Sequence, residues 1–395
     1  MRLYLESTEK FSIISIRIDD DNIDRKCDKI EKERNHQHNI FVDLNCKYTT
    51  SIVLEELEKR GMRKIMGPGV GDDAVTPPES CTFQFAEYER IDWQKVLSGR
   101  LRASSYCIRK GLSRKAQLAK YTKKYIDAVT MKKGSNECRY LQRAIPKTIV
   151  IDTWSAFTVD TNALDCNTGL SLKQRIRSCL NVVGEAMVSN EFRSWILKPS
   201  TMNKGVGIQI VHCIEEVEEA LLDEKDIREW VLQLYIDNPL LLRRRKFHIR
   251  AYVLAVSSIK VYFYNDVLIL CSGTKYTHDT SNIFAHITNT AYQSIDPNFS
   301  EEKCVLLLND LQRILVKDNI CKSSEDAKVI TESLLSKMQN ITGELFAAYR
   351  TEVGVFAPIE GKYRDSLYRH LSKYYTNVNN FTLRLLRTLW SRLSC

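Results

Sequence analysis

Apolar and polar positions alternate with a period of two in several segments of the central part of the chain. Such alternation predicts β-strands, and it occurs in WILKPS (195–200), GIQIVH (207–212), EWVLQLYI (229–236) and KFHIRAYVLAV (246–256). The charged segment EEVEEALLDEK (215–225) has helical spacing instead. A tight SSIK turn joins the last strand to VYFY (261–264), which predicts a hairpin. The pattern therefore predicts a mixed α/β body.

Helical spacing is more frequent before residue 150. SIVLEELEKRG (51–61) has the pattern of a capped helix ended by glycine, SRKAQLAKYTKKYI (113–126) is a basic helical segment, and RAIPKTIVID (143–152) is a short β-rich run. Two stretches poor in large apolar side chains, 19–39 and 67–80, are expected to be linkers or loops. We predict four regions: an N-terminal strand with a charged linker (1–47), an N-terminal region (48–150), a central and C-terminal region (151–363) and a basic amphipathic tail (364–395).

Composition narrows the class of protein without naming a function. The 395 residues are 44% apolar and 27% charged, which is globular composition. The sequence contains no run of about 18 uncharged apolar residues, which is the length needed to span a bilayer. Charges interrupt the apolar positions of the first 18 residues, and the twelve cysteines show no metal-binding spacing. We therefore expect a cytoplasmic protein with reduced thiols. The net charge of +9 favours an acidic partner and leaves nucleic acid open.

A loop between two predicted strands carries the first candidate chemistry. Lys198 ends one strand, and Lys204, Gly205 and Gly207 follow before the next. The backbone N–H groups of a glycine loop can close over phosphates, with a lysine beneath as a point charge. A plain hairpin turn explains the same glycines about as well, so the loop alone does not decide the function.

Two later segments add polar candidates, and the strand 229–236 could offer backbone groups to a purine edge. Period-two alternation places Lys246, His248 and Arg250 on one face of their strand. The positive charges of these groups repel each other, and a bound anion would relieve that repulsion. The alternative is that the three side chains lie on a sheet face exposed to water. The segment HITNTAYQ (286–293) could be a loop with satisfied side chains or a polar cluster formed by His286, Thr288 and Asn289.

The order of four motifs resembles the tubulin-tyrosine ligase family. The motifs are SRKAQL, WILKPSTMNKGVGI, VLQLYIDNPLLLRRRKFHIRAYVLAV and HITNTAYQ, and the segment ASSYCIRKGLSRKAQLAKY is most similar to fungal members. The resemblance covers residues 53–356 and is strongest over 195–293. It implies an ATP-grasp-like mixed sheet with a smaller N-terminal α/β domain, in which residues 151–363 form an incomplete ATP-grasp region.

The resemblance also implies an activity, which is ATP-dependent ligation of an amino acid, tyrosine or glutamate, to a glutamate carboxylate of the acidic tubulin tail through an acyl phosphate. It implies catalytic roles for Lys246 and Arg250, and phosphate contacts for Lys115, Lys198 and Lys246. The other implied cofactor-binding residues form the glycine loop and an adenine hinge: Lys204, Gly205, Gly207, Gln233, Leu234, Tyr235 and Ile236. The implied substrate-binding residues are Arg250, His286, Thr288 and Asn289.

Several positions depart from the family pattern. Leu234 stands where the hinge usually has lysine, His248 replaces the aspartate of RKFDIR, and Asn265 replaces a frequent arginine. Family members continue with FGxDFxxD and WLxEVNxxP, whose side chains hold Mg²⁺, and neither sequence follows FAPIEGKY (356–363). We therefore assign no metal ligands and expect impaired turnover. We also expect the apolar face of VYFYNDVLIL (261–270) to be exposed.

Two other classes of function stay open. A nucleotide-binding or tubulin-binding scaffold without ligase activity fits the missing Mg²⁺ ligands. A basic nucleic-acid-associated protein fits the charge but not the ordered motifs. The tail segment LRLLRTLWSRL (383–393) can form an amphipathic helix that packs on the core, or that contacts a membrane surface or a partner.

Overall fold

The computed structural model describes residues 2–7, 11–17, 39–69, 75–98, 100–107, 110–133, 139–157, 171–188, 193–256 and 260–356. The strands are β1 (Arg2–Ser7), β2 (Phe11–Arg17), β3 (Asn39–Asp43), β4 (Arg63–Met66), β5 (Cys81–Ala86), β6 (Arg102–Ala103), β7 (Thr148–Asp152), β8 (Trp195–Pro199), β9 (Gln209–Val211), β10 (Glu229–Leu234), β11 (Leu241–Leu242), β12 (Arg245–Arg250), β13 (Val253–Val256), β14 (Lys260–Tyr264), β15 (Leu268–Cys271) and β16 (Val305–Leu307).

The α-helices alternate with these strands, and one turn of 3₁₀-helix spans Tyr88–Arg90. They are α1 (Lys47–Lys59), α2 (Trp93–Leu97), α3 (Lys110–Ser113), α4 (Lys115–Lys133), α5 (Arg139–Ala144), α6 (Trp154–Phe157), α7 (Leu172–Cys179), α8 (Asn181–Val188), α9 (Ile214–Asp223), α10 (Ile283–His286), α11 (Thr290–Gln293), α12 (Glu301–Cys304), α13 (Leu308–Lys317) and α14 (Ser324–Phe356). Among the described helices, none combines the length and the apolar character that a membrane span requires.

The chain divides into two compact units. The first contains residues 1–109, 253–263 and 350–395, and the second contains 110–252 and 264–349. The first unit has sheets of order β4-β3-β5-β6 and β1-β2-β14-β13, and the second has sheets of order β7-β10-β8-β9 and β11-β12-β15-β16. Helices and strands alternate in both units, which confirms the predicted mixed α/β class. The four predicted regions stay a prediction.

The first unit is built around the parallel strand β3. Its Ile40 and Val42 pack under α1, while Phe41 faces a second apolar cluster on the other side of the sheet. Helix α1 begins four residues before its predicted start, at Lys47, and ends where Gly61 adopts a φ of +64°. The predicted glycine stop is therefore confirmed. The linker predicted at 19–39 lies outside the described residues except for its last residue, and so do 70–74 of the predicted loop.

In the second unit, apolar side chains of α7, α8 and α9 cover one face of the sheet β7-β10-β8-β9. The helix predicted at 215–225 is confirmed as α9, and the basic helix at 113–126 is confirmed as part of α4. The sheet β11-β12-β15-β16 has its own core, in which Phe247 and Ile249 of β12 pack with residues of α13. Each of the two sheets in the second unit therefore packs an apolar face against helices.

Two expectations about the segment 246–270 are wrong. The alternation in KFHIRAYVLAV predicts one strand, but the chain forms β12 and β13, which belong to different sheets. The hairpin with VYFY is confirmed, since β13 pairs with β14. The apolar face of VYFYNDVLIL is not exposed, because Val261, Phe263 and Ile269 are fully buried. Each of the strands β14 and β15 has a neighbouring strand on both sides.

The turn between β11 and β12 is strained. Its two residues, Arg243 and Arg244, have φ values of +51° and +60°, as in a type I′ turn, where Asn-Gly is the favoured pair. We expect the double substitution Arg243→Asn, Arg244→Gly to raise the free energy of unfolding by about 1 to 2 kcal/mol, measured by urea denaturation. The N–H of residue 243 can still donate to Asp318 Oδ2, as it does now at 2.6 Å. A lower stability would show that the guanidinium groups contribute more than the strain removes.

Candidate functional site

One face of the sheet β7-β10-β8-β9 carries a row of hydrogen-bonded polar side chains. Trp195 and Trp230 are fully buried in the apolar face, so alternation places Lys198 and Gln233 on the other face. Lys198 Nζ donates to Gln233 Oε1 at 2.8 Å, and Gln233 Nε2 donates to Thr148 Oγ1 at 2.8 Å. This row positions the Lys198 ammonium above the sheet.

The glycine loop, residues 200–208, follows Lys198 and joins β8 to β9. Lys204, Gly205 and Gly207 have φ values of +60°, +84° and +68°. A Cβ atom on Gly207 would lie 2.7 Å from Pro199 Cγ, so both conformation and space require glycine there. This loop is longer than a two-residue hairpin turn, and its contact with phosphate stays a prediction.

Lys115 anchors the start of α4 at the base of the glycine loop. Its Nζ donates to the carbonyl oxygens of Pro199 at 3.0 Å and Met202 at 2.6 Å. The next N–H, that of Ala116, donates to Ser200 Oγ at 3.1 Å. Ser200, which is 84 positions after Ala116, thus caps α4 and places Lys115 near Lys198.

Lys246 reaches the same region from β12, in the other sheet of the second unit. Its neighbours Phe247 and Ile249 point into the core, so Lys246, His248 and Arg250 share the opposite face, as the alternation predicts. Lys246 Nζ donates to Tyr235 Oη at 2.6 Å and lies 4.2 Å from the centre of the Tyr235 ring.

The three lysines are electrostatically linked. Burial and the charge of Lys115 lower the pKa of Lys198 to about 8, and burial and the charge of Lys198 lower the pKa of Lys246 to about 8. Burial also lowers the pKa of Lys115. In the described part of the chain, none of the three forms a salt bridge with a carboxylate, although Asp237 partly offsets the effect on Lys246. The cluster therefore has the electrostatics of an anion site.

The predicted adenine hinge has limited hydrogen-bonding capacity left. The N–H of Leu234 donates to Lys147 O at 2.8 Å and that of Tyr235 to Ser194 O at 3.0 Å, and the Gln233 side chain is engaged with Lys198. Ile236 is 56% exposed, and its N–H has no acceptor within the described ranges. Ile236 is therefore the hinge residue that can donate to a purine edge.

The predicted substrate residues have different surroundings. Arg250 is exposed, and its side chain has no hydrogen-bond partner among the residues that the structure describes, while its backbone lies opposite Leu268 of β15. Thr288 Oγ1 lies 2.7 Å from His248 Nδ1, and Asn289 Oδ1 caps α11 by accepting from the N–H of Ala291 at 3.1 Å. His286 is buried, with both ring nitrogens hydrogen-bonded. Within the described ranges, the Arg250 guanidinium group and the Asn289 amide nitrogen have free hydrogen-bond donors, and the substrate roles of all four residues stay predictions.

Several residues that build the site were not predicted from the sequence. They hold lysines or close the loop: Thr148, Ser200, Gln117, Glu229 and Asp279. All but Asp279 lie in segments that the sequence singled out, but no local signal marked these side chains as contacts. They act through contacts made after folding, such as the hydrogen bonds of 2.9 Å from Gln117 Nε2 to both carboxylate oxygens of Glu229.

The described side chains do not fit a magnesium site. They contain no group of three His, Cys, Asp or Glu side chains that could hold a metal ion, whereas Mg²⁺ needs carboxylate oxygens to offset the charge of a triphosphate. Glu229, on the strand beside Lys198, is already engaged by Gln117. Glu360 and Asp365 lie outside the described residues.

A sequence model of the tubulin-tyrosine ligase family matches residues 144–347, which is just over half of the chain. The chain belongs to the tubulin-tyrosine ligase family. The resemblance drawn from the motifs is thereby confirmed. The mixed sheets agree with the α/β class that the resemblance implies.

Individual relatives in the tubulin-tyrosine ligase family cover different lengths. A probable tubulin–tyrosine ligase of Schizosaccharomyces pombe is 29% identical over 360 residues, which is 81% of this chain and 78% of that protein. A second one, PBY1 of Saccharomyces cerevisiae, is 26% identical over 56% of this chain and 33% of its own length. A probable alpha-tubulin polyglutamylase of Tetrahymena thermophila is 33% identical over 29% of this chain and 30% of its own length. The chain thus spans a third or less of the last two relatives.

One solved structure is also similar to this chain. It is the C-terminal domain of Pby1 from K. lactis, described as an ATP-grasp enzyme that interacts with the mRNA decapping enzyme Dcp2. Its TM-score is 0.49 at 20% identity, and the match covers 82% of this chain and 77% of that domain.

Inorganic tripolyphosphate is expected to raise the melting temperature more at pH 7 than at pH 9.5. In the free chain, Lys198 and Lys246 have pKa values of about 8, below the unfolded value of about 10.4. Their burial therefore destabilises the fold below pH 8, and this penalty shrinks as the pH rises from about 8 to 10.4. A polyanion binds to the charged form of the lysines, so it offsets the stability lost by their burial only at a pH where they are charged. Differential scanning fluorimetry would show this, and equal shifts at both pH values would contradict it.

Proposed function

We propose that this chain is an ATP-dependent carboxylate–amine ligase that attaches an amino acid, tyrosine or glutamate, to a glutamate carboxylate of an acidic tubulin tail. The observation that carries the proposal is the cluster of Lys115, Lys198 and Lys246 beside the glycine loop, without carboxylate partners in the described ranges. Three buried or half-buried cations repel each other in the free protein, and a triphosphate supplies the opposite charge. The names of the tubulin-modifying relatives support tubulin as the acceptor.

Each group in the site has a separate part in this proposal. Lys115 and Lys198 bind phosphate oxygens, the glycine loop contributes backbone N–H groups, and Ile236 donates to the purine. Lys246, on the facing strand, stabilises the negative charge that develops during transfer. ATP, when bound, supplies the phosphoryl group that activates the acceptor carboxylate as an acyl phosphate. Arg250 holds a carboxylate of the acceptor.

We further propose that turnover by this chain is low. The described carboxylates do not fit a magnesium site, and the sequence after Phe356 contains no Glu-x-Asn. Lysines neutralise a triphosphate less completely than lysines and a divalent cation together. The same observation favours a second candidate function, a nucleotide- or tubulin-binding scaffold without ligase activity.

A ligase assay separates these alternatives. Purified full chain is incubated with detyrosinated tubulin, ATP, Mg²⁺ and radiolabelled tyrosine or glutamate, with Lys198→Met as the matched inactive variant, and ATP binding is measured by calorimetry. Slow incorporation that requires Lys198 supports the ligase. ATP binding without incorporation supports the scaffold. Rapid, strongly Mg²⁺-dependent incorporation would contradict low turnover. No ATP binding would overturn both the ligase and the nucleotide-binding scaffold.

Replacing Arg250 with lysine is expected to weaken binding of a tubulin-tail peptide roughly 5- to 30-fold, which corresponds to about 1 to 2 kcal/mol. A guanidinium group can bind a carboxylate through two parallel hydrogen bonds, whereas an ammonium group cannot. The exposed side chain of Arg250 is available for this contact. Fluorescence anisotropy with a labelled peptide measures the effect, and Arg313→Lys on α13 is the control. Equal affinities of Arg250→Lys and the unmodified chain would exclude the proposed role.

A further inference from the structure

A chain of three hydrogen bonds starts at Lys246 and runs into the protein interior. Lys246 Nζ lies 2.6 Å from Tyr235 Oη, Tyr235 Oη lies 2.7 Å from His286 Nδ1, and His286 Nε2 lies 2.9 Å from Asp279 O. Tyr235 and His286 are buried, at 6% and 4% exposure. The Tyr235 ring also packs against the ammonium group of Lys246.

The direction of each hydrogen bond in this chain follows from its last member and from the protonation states of His286 and Tyr235. Asp279 O is a backbone carbonyl and can only accept, so His286 Nε2 carries a hydrogen. Burial lowers the pKa of His286, so its ring is neutral and Nδ1 is an acceptor. Burial raises the pKa of Tyr235, so its hydroxyl stays protonated and donates to Nδ1. The phenolic oxygen is then free to accept from Lys246.

We propose that Tyr235 and His286 are positioning residues that hold the charged ammonium group of Lys246 at the nucleotide site. This inference rests on the proposed ATP-binding function and gives the hinge tyrosine a role through its side chain. It also gives His286 a role other than substrate contact. Tyr235 Oη is the hydrogen-bond acceptor of Lys246 within the described ranges, so its orientation controls where the charge lies.

The charged and titratable groups around Lys246 determine how its charge state would change if the Tyr235 hydroxyl were removed. Lys198 on β8 repels the ammonium group, and Asp237, after β10, attracts it. His286 on α10 faces it through Tyr235, and Tyr276 packs against the His286 ring, with centroids 5.4 Å apart. On its own strand, His248 and Arg250 share the same face. A hydrogen bond to Tyr235 favours the charged form of Lys246, so its removal should favour the neutral form.

Competitive acetylation with acetic anhydride, quantified by mass spectrometry over a pH range, measures the titration of Lys246 in the free full-length chain. Tyr235→Phe keeps the ring and removes the oxygen, and we expect the pKa of Lys246 to fall by about one unit. His286→Asn keeps an oxygen acceptor near the position of Nδ1 and should change the titration less than His286→Ala does. His278→Asn, an exposed neighbour of Tyr276, is the matched control.

The pH dependence of ATP affinity supplies a readout that a purely structural role would not move. A one-unit fall in the pKa of Lys246 from about 8 reduces its charged fraction roughly fivefold at pH 8 and less than twofold at pH 6.5. We therefore expect Tyr235→Phe to weaken ATP binding mainly at pH 8. An unchanged Lys246 titration, or an equal loss of affinity at both pH values, would overturn the positioning role. Shifted titration in a chain that does not bind ATP would support the positioning role and reject the proposed function.

Discussion

Replacing Lys198 with methionine is expected to weaken ATP binding by about 1.5 to 3 kcal/mol, or roughly 10- to 150-fold. Methionine keeps an unbranched apolar stem but removes the ammonium group that donates to Gln233 at 2.8 Å in the free chain. A phosphate oxygen in this half-buried place would receive a charge-assisted hydrogen bond from Lys198. Isothermal titration calorimetry with ATP at pH 7 measures the loss.

Lys123→Met is the matched control for this prediction. Lys123 is an exposed residue of α4 that pairs with Asp127 at 2.6 Å, so its loss removes one positive charge without changing the site. Its ATP affinity should remain within about twofold of the unmodified chain, since exposed charges act weakly across solvent. If both lysine variants bind ATP as the unmodified chain does, the nucleotide site has been assigned to the wrong face of the sheet.

Gly207→Ala is expected to lower the free energy of unfolding by about 2 to 5 kcal/mol, and to weaken ATP binding as well. The φ of +68° is unfavourable for alanine by about 1 to 2 kcal/mol. The new Cβ atom would also lie 2.7 Å from Pro199 Cγ, and relieving such a contact costs about 1 to 3 kcal/mol. Because Pro199 directly follows Lys198, a shift there also displaces the lysine. Urea denaturation and calorimetry measure the two effects.

The same substitution at Gly184 should have the opposite sign. Gly184 lies within α8, and an added Cβ would have Ile214 Cδ1 as its neighbour at 3.9 Å, an ordinary contact distance. Alanine favours helix over glycine by about 0.5 to 1 kcal/mol, so Gly184→Ala should stabilise the chain by that amount. Destabilisation by both variants to the same extent would show that glycine at 207 is not specifically required.

The sequence predicted the elements of the site better than it predicted their contacts. The alternation around Lys198 and Lys246 identified β8 and β12, and for Lys246 it also identified the face of the strand, because one buried face suffices to define a period of two. Helix α1 extends over Thr49 and Thr50, which have modest helix propensity, because packing of the following turns against β3 stabilises the whole element. Element type was therefore predictable, and element length was less so.

The sequence did not predict contacts between residues that are far apart along the chain, because a local pattern does not contain them. The alternation of KFHIR passes directly into the apolar and aromatic run from Ala251 to Val256. The break after Arg250 depends on which distant strands pair with each half. The side-chain role of Tyr235 depends on His286, 51 positions later. Lys115 was assigned only through the family resemblance, since its link to the glycine loop spans 84 positions.

The discontinuity of the first unit has a consequence for synthesis on the ribosome. Strands β1 and β2 are made first, but their sheet is completed by β13 and β14, which begin at Val253. The nascent hairpin therefore leaves the ribosome with an unpaired edge until some 240 further residues have been translated. At about 5 to 20 residues per second this interval lasts roughly 10 to 50 seconds. A recombinant fragment ending at residue 109 would keep that edge open permanently, so expression of the first unit requires residues 253–263 as well.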